Sequence, residues 1–135
     1  MKRRTEIGLE PRPRKIRVVV ADDSRTALRA VCAYLDFEER FEIAGTAHDG
    51  LGLVREAERL QPDLVLTDLS MPQMSGLEAA EQLRESIPGL RIVLFTELSG
   101  LSLRDECLRR GIDGFVAKSH MPERLMEEVN RLFPV

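Results

Sequence analysis

The chain has 135 residues, of which 43% are hydrophobic and 32% charged, an ordinary composition for one soluble globular domain. No apolar run approaches the roughly 20 residues that span a membrane, which excludes a transmembrane protein. Cys32 and Cys107 fall within helical patterns among apolar neighbours, so we interpret them as small buried hydrophobes and not as a disulfide or metal pair.

Charge is distributed unevenly along the chain. Residues 1–15 carry six Lys or Arg and two Glu, a net charge of +4, whereas the other 120 residues carry 14 Lys or Arg and 21 Asp or Glu, a net charge of −7. The first segment contains Pro11 and Pro13 and has no apolar period, so we predict a disordered basic arm over 1–15 and a folded domain over 16–135. The acidic domain is not expected to bind nucleic acid directly.

Strand-like and helical patterns alternate from residue 16 onward. Ile16–Ala21 is rich in β-branched residues and predicts a buried strand. Ser24 follows and can cap a helix, because its hydroxyl can accept a hydrogen bond from an amide of the first turn. The apolar face of this helix comprises Leu28, Val31, Cys32 and Leu35.

The second strand and helix follow directly. Phe41–Ala47 is a strand-like run, and His48, Asp49 and Gly50 turn the chain. Pro62 ends the helix, because proline lacks the amide proton that a helix interior needs. The apolar positions of this helix are Leu53, Val54, Ala57 and Leu60.

The third strand leads to an acid, Asp68. The apolar run Leu64 to Leu66 stops there, Pro72 suits a turn, and Gly76 tolerates a tight entry into a helix that runs to about Ser86. Aspartate commonly ends strands, so Asp68 taken alone is best explained as a turn residue. In open α/β sheets, however, ligands bind at this edge.

Two further strands complete the pattern. Pro88 and Gly89 precede the strand Arg91–Thr96, and the short strand Gly114–Ala117 ends at Lys118. Between them lies a helix that ends near Gly111, whose weaker apolar period predicts less firm packing. Its apolar positions are Leu101, Leu103, Cys107 and Leu108. The last helix is marked by Leu125, Met126, Val129, Leu132 and Phe133.

Five alternations of strand and helix predict an α/β fold, a doubly wound five-stranded parallel sheet with helices on both faces. Parallel strands place their carboxyl ends on one edge, so the polar residues that end four strands should converge. These residues are Asp22, Asp23, Asp68, Thr96 and Lys118. Each has an ordinary explanation as a turn former, strand residue or surface charge, but all of them together on one edge favour a functional site.

The charge of this set points to a cation. Three carboxylates and one ammonium sum to −2, which is costly to hold together alone. Oxygen ligands suit Mg²⁺, whereas His48 without a nearby His or Cys argues against zinc. Lys118 stands in a domain whose other basic residues are Arg, and a compact ammonium suits a point contact to an oxyanion. Because a carboxylate can accept a phosphoryl group, these residues predict Mg²⁺-assisted phosphorylation of an aspartate.

The motifs resemble the receiver domain of bacterial two-component response regulators over about residues 15–133. The resemblance is carried by Asp22-Asp23, Asp68 with the following Leu-Ser-Met-Pro-Gln-Met-Ser-Gly, Thr96, and Gly111-Ile-Asp-Gly-Phe-Val-Ala-Lys118. It implies a flavodoxin-like sheet with strand order 2-1-3-4-5.

The resemblance also implies a metal site. Asp68 would accept the phosphoryl group from a histidine kinase or a histidine phosphotransfer protein. Asp23 and Asp68 would ligate Mg²⁺ or Mn²⁺ together with the backbone carbonyl of Ser70. Asp22 would help to hold the metal through water.

Three more residues receive roles from the resemblance. Thr96 and Lys118 would bind the phosphoryl oxygens. Thr96 and Phe115, the latter at the aromatic switch position, would carry the conformational switch. Such a domain would catalyse its own phosphorylation and dephosphorylation without being an enzyme on other substrates. We expect it to be cytoplasmic, away from membranes, and to dimerise on phosphorylation.

Two positions depart from the family pattern. Glu97 stands where a small residue usually follows the Thr, and its carboxylate is expected to crowd and repel the phosphoryl group. Ser119 stands where a proline in a cis bond often follows the Lys. A cis bond before a non-proline residue costs about 3–4 kcal/mol, so the resemblance leaves the conformation of this bond open.

We therefore expect a stand-alone receiver that acts on a downstream protein, because no output domain follows in this sequence. One alternative is a receiver excised from a DNA-binding transcriptional regulator, as the Ser119 position also suggests. Another is a Mg²⁺-dependent phosphatase with an aspartyl-phosphate intermediate, although that class usually has a second Asp where this chain has Ser70. A third is a receiver-like scaffold that is never phosphorylated.

Overall fold

A computed structural model describes residues 14–97 and 101–134, apart from the side chain of Leu101. Residues 1–13, where most of the predicted arm falls, and 98–100 lie outside the described part. The elements are β1 Ile16–Ala21, α1 Arg25–Phe37, β2 Phe41–Ala47, α2 Gly50–Leu60, β3 Leu64–Asp68, α3 Gly76–Ser86, β4 Arg91–Thr96, α4 Leu101–Arg109, β5 Gly114–Ala117 and α5 Glu123–Leu132. A short 3₁₀ turn, Lys118–His120, precedes α5.

The five strands form one parallel sheet in the order β2-β1-β3-β4-β5. The predicted α/β fold and strand order are therefore confirmed. Strand β3 lies in the centre, and all five of its residues are buried. A central parallel strand is covered by helices on both faces, which explains its continuous apolar run before Thr67 and Asp68.

Two apolar layers enclose the sheet. Helices α2, α3 and α4 cover one face, where the buried side chains include Leu53, Leu83, Ile92 and Cys107. Helices α1 and α5 cover the other, where Leu35, Leu66, Phe95 and Leu125 are buried. None of the helices in the described part is long and apolar enough to cross a bilayer.

The structure confirms some of the sequence predictions about packing and corrects others. Cys107 is fully buried but Cys32 is only half-buried, so the prediction of two buried cysteines holds for one of them. In α4, Cys107 is the one fully buried side chain among those described, which agrees with the predicted weak packing. The 3₁₀ turn was not predicted, because three polar residues show no apolar period.

Candidate functional site

The polar residues that end the strands meet at the carboxyl edge of the sheet, as predicted. Asp22 follows β1, Asp68 ends β3, Thr96 ends β4 and Lys118 follows β5. Asp22, Asp68 and Thr96 are all buried, at 0%, 6% and 2% exposure. Burial of three polar side chains at one edge is unusual unless each has a partner, so these partners define the site.

Lys118 joins the two buried acids. Its ammonium Nζ lies 2.9 Å from Oδ2 of Asp22 and 3.3 Å from Oδ2 of Asp68. The lysine side chain is 20% exposed, while those of Asp22 and Asp68 are 0% and 9% exposed. The ammonium therefore bridges β1 and β3 from a position at the end of β5, in surroundings where ionic hydrogen bonds are stronger than in water.

Asp22 is fixed from two sides. Its Oδ1 accepts a hydrogen bond from the backbone amide of Ser24 at 2.9 Å, while Oδ2 accepts from Lys118. Ser24 also caps α1, as predicted, because its hydroxyl accepts from the amide of Ala27 at 3.2 Å. The start of α1 and the orientation of Asp22 are thus set by the same turn.

The three acids approach one another closely. Asp22, Asp23 and Asp68 each offer a carboxylate oxygen, and these oxygens all lie within 4.8 Å of one another. Asp23 is exposed, so this cluster opens to solvent on one side. Lys118 alone does not neutralise three carboxylates, and the set is composed of the hard oxygen donors that Mg²⁺ prefers. The residues present therefore fit a divalent cation of this type.

The close approach of these charged groups shifts the pKa values of Asp68 and Lys118. Burial raises the pKa of the Asp68 carboxyl, and the charge of Asp22 raises it further, against the opposing effect of Lys118 and of a hydrogen bond from the Ser70 backbone. Burial also lowers the pKa of Lys118, but the hydrogen bonds and charges of Asp22 and Asp68 outweigh it and leave this pKa raised. The lysine is therefore charged at neutral pH.

The loop after Asp68 is held by a close backbone contact. A Cβ at Gly76 would lie 2.0 Å from the carbonyl oxygen of Asp68, closer than any real Cβ contact. The amide of Gly76 donates to the carbonyl of Leu69 at 2.8 Å. Glycine is thus needed for α3 to start against the backbone of the central strand, which agrees with the predicted tight entry.

The predicted switch residues lie on β4 and β5. Thr96 pairs with Ala117, and Phe115 pairs with Leu94 in the parallel register. Phe115 is half-buried and packs against the apolar layer beneath α2, α3 and α4. The two predicted switch positions are therefore on neighbouring strands.

The two departures from the family pattern have clear positions. Glu97 is exposed at the end of β4. The Lys118–Ser119 bond is trans, and the cis bond of the described part joins Met121 to Pro122.

Two features of the site were not predicted from the sequence. Asp22 is paired directly with Lys118, whereas sequence reasoning gave it only a metal contact through water. The ring of Phe95 lies beneath the same ammonium, with 5.2 Å between Nζ and the ring centroid. Nothing in the sequence distinguished Phe95 from an ordinary apolar residue of a buried strand.

Comparison with known proteins identifies the family. A profile of the response regulator receiver domain matches residues 18–130. The chain is 27% identical over 116 residues to the chemotaxis protein CheY of Thermotoga maritima, covering 86% of this chain and 96% of that protein. The response regulator domain of Thermotoga maritima CheB has a TM-score of 0.79 and 28% identity, covering 88% of this chain and 97% of that one.

Other relatives are longer. The transcriptional regulatory protein YxjL of Bacillus subtilis (strain 168) is 30% identical over 115 residues, which cover 85% of this chain but 53% of that protein. The chain thus spans about half the length of several curated relatives that it matches. The profile match over most of the chain and the acidic cluster at the sheet edge agree: the chain belongs to the response regulator receiver domain family.

Proposed function

We propose that this domain is a phosphorylation-controlled signalling switch in which Asp68 accepts a phosphoryl group. The observation that carries the proposal is the Lys118 ammonium, held between Asp22 and Asp68 at 2.9 and 3.3 Å. An ammonium beside a buried carboxylate is placed to compensate charge on an incoming phosphoryl group. The phosphoryl donor is a histidine kinase or a histidine phosphotransfer protein.

The chemical step is a transfer between two nucleophiles. A carboxylate oxygen of Asp68 attacks the phosphorus of a phosphohistidine and forms a P–O bond. The P–N bond breaks, and its electron pair stays on the imidazole nitrogen, which takes up a proton. Lys118 compensates charge on the transferred oxygens and Thr96 donates a hydrogen bond to them.

The acids have a second role as metal ligands. Asp22, Asp23 and Asp68, with the backbone carbonyl of Ser70, would hold Mg²⁺ or Mn²⁺, and the bound ion supplies positive charge that compensates the phosphoryl oxygens. Asp23 is the most exposed of the three acids, so it gives this site its opening to solvent.

Intact-mass measurement after incubation with a small acyl phosphate and Mg²⁺ tests the proposal. We expect the mass of one added phosphoryl group, and no gain when a chelator replaces the cation. Asp68→Ala is the matched control and should not be labelled. Equal labelling of Asp68→Ala and the parent would contradict the assignment.

A second candidate is the receiver of a DNA-binding transcriptional regulator. It is favoured by the names of three relatives, each about half covered by this chain, which are transcriptional regulatory proteins. The length of the complete reading frame tests it, because a helix-turn-helix segment encoded after Val135 would support this candidate.

The remaining properties follow from the proposed switch. We place the domain in the cytoplasm, where its donor and a downstream protein or output domain would meet it. Residues 1–15 are proposed to be a basic arm outside the receiver, which occupies 16–135. Phosphorylation is proposed to favour a homodimer.

A further inference from the structure

Lys118 must reach across a strand to act. Strand order places β4 between β5, which carries Lys118, and β3, which carries Asp68. The two strands are thus separated by two strand spacings, roughly 10 Å. Holding a long, flexible side chain extended over such a distance costs rotamer entropy. Contacts along the way must offset this cost, so the residue beneath the lysine matters for its position.

The residue beneath it is Phe95. In the parallel register Phe95 pairs with Asp68 on one side and with Val116 on the other. Its side chain is completely buried, and the Nζ of Lys118 lies over the ring at 5.2 Å from the centroid. This distance is within the range of a cation–π contact, in which the negative ring face attracts the ammonium.

A ring serves the lysine differently from a polar side chain. An ammonium has three N–H donors, and in the described part of the chain two carboxylates accept from it, those of Asp22 and Asp68. The aromatic face attracts the charge without adding an acceptor oxygen or a further negative charge. It therefore holds the ammonium at the site and leaves a donor for an incoming oxyanion.

We propose that Phe95 is a positioning residue for Lys118, which holds the ammonium between Asp22 and Asp68 through its ring face. The part that concerns phosphoryl transfer rests on the proposed function. The part that concerns the lysine's position stands independently of it.

The lysine's position is tested by NMR, because the chain has three lysines and their ε-methylene signals separate easily. In the parent, the Lys118 ε protons should lie upfield of those of exposed Lys15, owing to the ring current. In Phe95→Leu the order parameter of Lys118 Cε should fall towards that of Lys15. Phe41→Leu removes a ring from the same apolar layer, at the far end of β2, and should leave Lys118 unchanged.

The functional part is tested by the rate of labelling with a small acyl phosphate. Phe95→Leu should be labelled about three- to tenfold more slowly than Phe41→Leu, the scale of a partly buried cation–π contact. Pentafluorophenylalanine at position 95 keeps the shape of the ring but removes its negative face, so it should slow labelling similarly even if Phe95→Leu is poorly folded.

The outcomes distinguish the role of Phe95 in positioning Lys118 from its effect on phosphoryl transfer. An unchanged order parameter of Lys118 in both Phe95 variants overturns the positioning role, and unchanged labelling in both overturns its contribution to transfer. If the parent is never labelled, the proposed function fails, while the NMR comparison still decides whether Phe95 positions Lys118.

Discussion

At the scale of single residues, the site is a balance of charge around Lys118. Asp22 is completely buried and is compensated by the lysine and by the amide of Ser24. Asp68 shares the same lysine at the longer distance and stands beside the charge of Asp22. Asp68, the proposed phosphoryl acceptor, is therefore the less well compensated of the two buried acids, which favours its interaction with an added positive charge.

This balance predicts that the ionised carboxylate of Asp68 destabilises the folded state when no metal is bound. Because the pKa of Asp68 is raised in the folded state, its ionised form is disfavoured there. The resulting loss of stability begins as the pH rises through the pKa that Asp68 has in the unfolded chain. It is complete above the pKa that Asp68 has in the folded domain. Asp68→Asn should therefore melt at a higher temperature than the parent at pH 7 in chelator, and the difference should disappear in acid.

Thermal unfolding of both proteins between pH 3 and 7 measures the effect, in a range set by the ordinary carboxylate pKa of about 4. Asp36→Asn is a suitable control, since Asp36 is an exposed acid on α1. A lower melting temperature for Asp68→Asn at pH 7 would show that Lys118 compensates Asp68 fully.

Glu97 adds a negative charge next to Thr96. The side chain is exposed at the carboxyl end of β4, on the edge where the phosphoryl donor would approach. Glu97→Ala should therefore speed labelling by small anionic donors, by about two- to fivefold for one solvent-screened charge. The gain should shrink at high salt. Stopped-time intact-mass measurement gives the rate, and an equal or slower rate would mean that Glu97 assists the reaction.

At the scale of elements, the β3–α3 junction fixes the position of Asp68. Helix α3 begins at Gly76, whose backbone lies against the carbonyl of Asp68. The helix is held at this start by a capping box, in which the Ser75 hydroxyl accepts from the amide of Glu78 and the Glu78 carboxylate accepts from the amide of Ser75. Moving the helix start would therefore move Asp68.

Gly76→Ala should consequently destabilise the domain strongly. The added Cβ would lie 2.0 Å from backbone, which cannot rotate away, so we expect a loss above about 2 kcal/mol. Gly89→Ala is a matched control: its φ of +90° strains any side chain by roughly 1–2 kcal/mol, but a Cβ there meets nothing within 4 Å. Chemical denaturation measures both losses, and a smaller loss for Gly76→Ala would contradict the close approach.

At the scale of the whole molecule, the sheet brings distant residues together, and this much could be predicted from the sequence. The β-branched run before Asp22 and the apolar run before Asp68 identified strands, and parallel strands share an edge. The sequence could not tell which of Asp22 and Asp23 is buried, because neighbouring residues at a strand end point in different directions. The sequence could not single out Phe95 either, because an aromatic residue in a buried strand looks like any other residue of the hydrophobic core.

The same sheet offers a route from the site to the surface. Phosphorylation adds about −1.5 to −2 charge with strong acceptor oxygens, to which Thr96 would turn. Thr96 pairs with Ala117, and half-buried Phe115 lies one alternation step earlier on that strand. We therefore expect a beryllium fluoride phosphoryl mimic to shift amide signals around Phe115, and Thr96→Ala to weaken those shifts.

Amide NMR with and without the mimic measures this coupling. Thr46→Ala is the control, since Thr46 is exposed on β2 at the opposite side of the sheet. Shifts near Phe115 that persist unaltered in Thr96→Ala would exclude Thr96 as the connection.

Peptide mapping after hydroxylamine treatment identifies the residue that carries the phosphoryl group, which we propose is Asp68. Hydroxylamine cleaves an acyl phosphate and leaves a hydroxamate on the residue that carried it, whereas phosphate esters of Ser or Thr resist. After labelling with a small acyl phosphate and Mg²⁺, we predict a hydroxamate on Asp68. A hydroxamate on Asp22, Asp23 or Glu97, or a label that hydroxylamine does not remove, would show that Asp68 is not the phosphoryl acceptor.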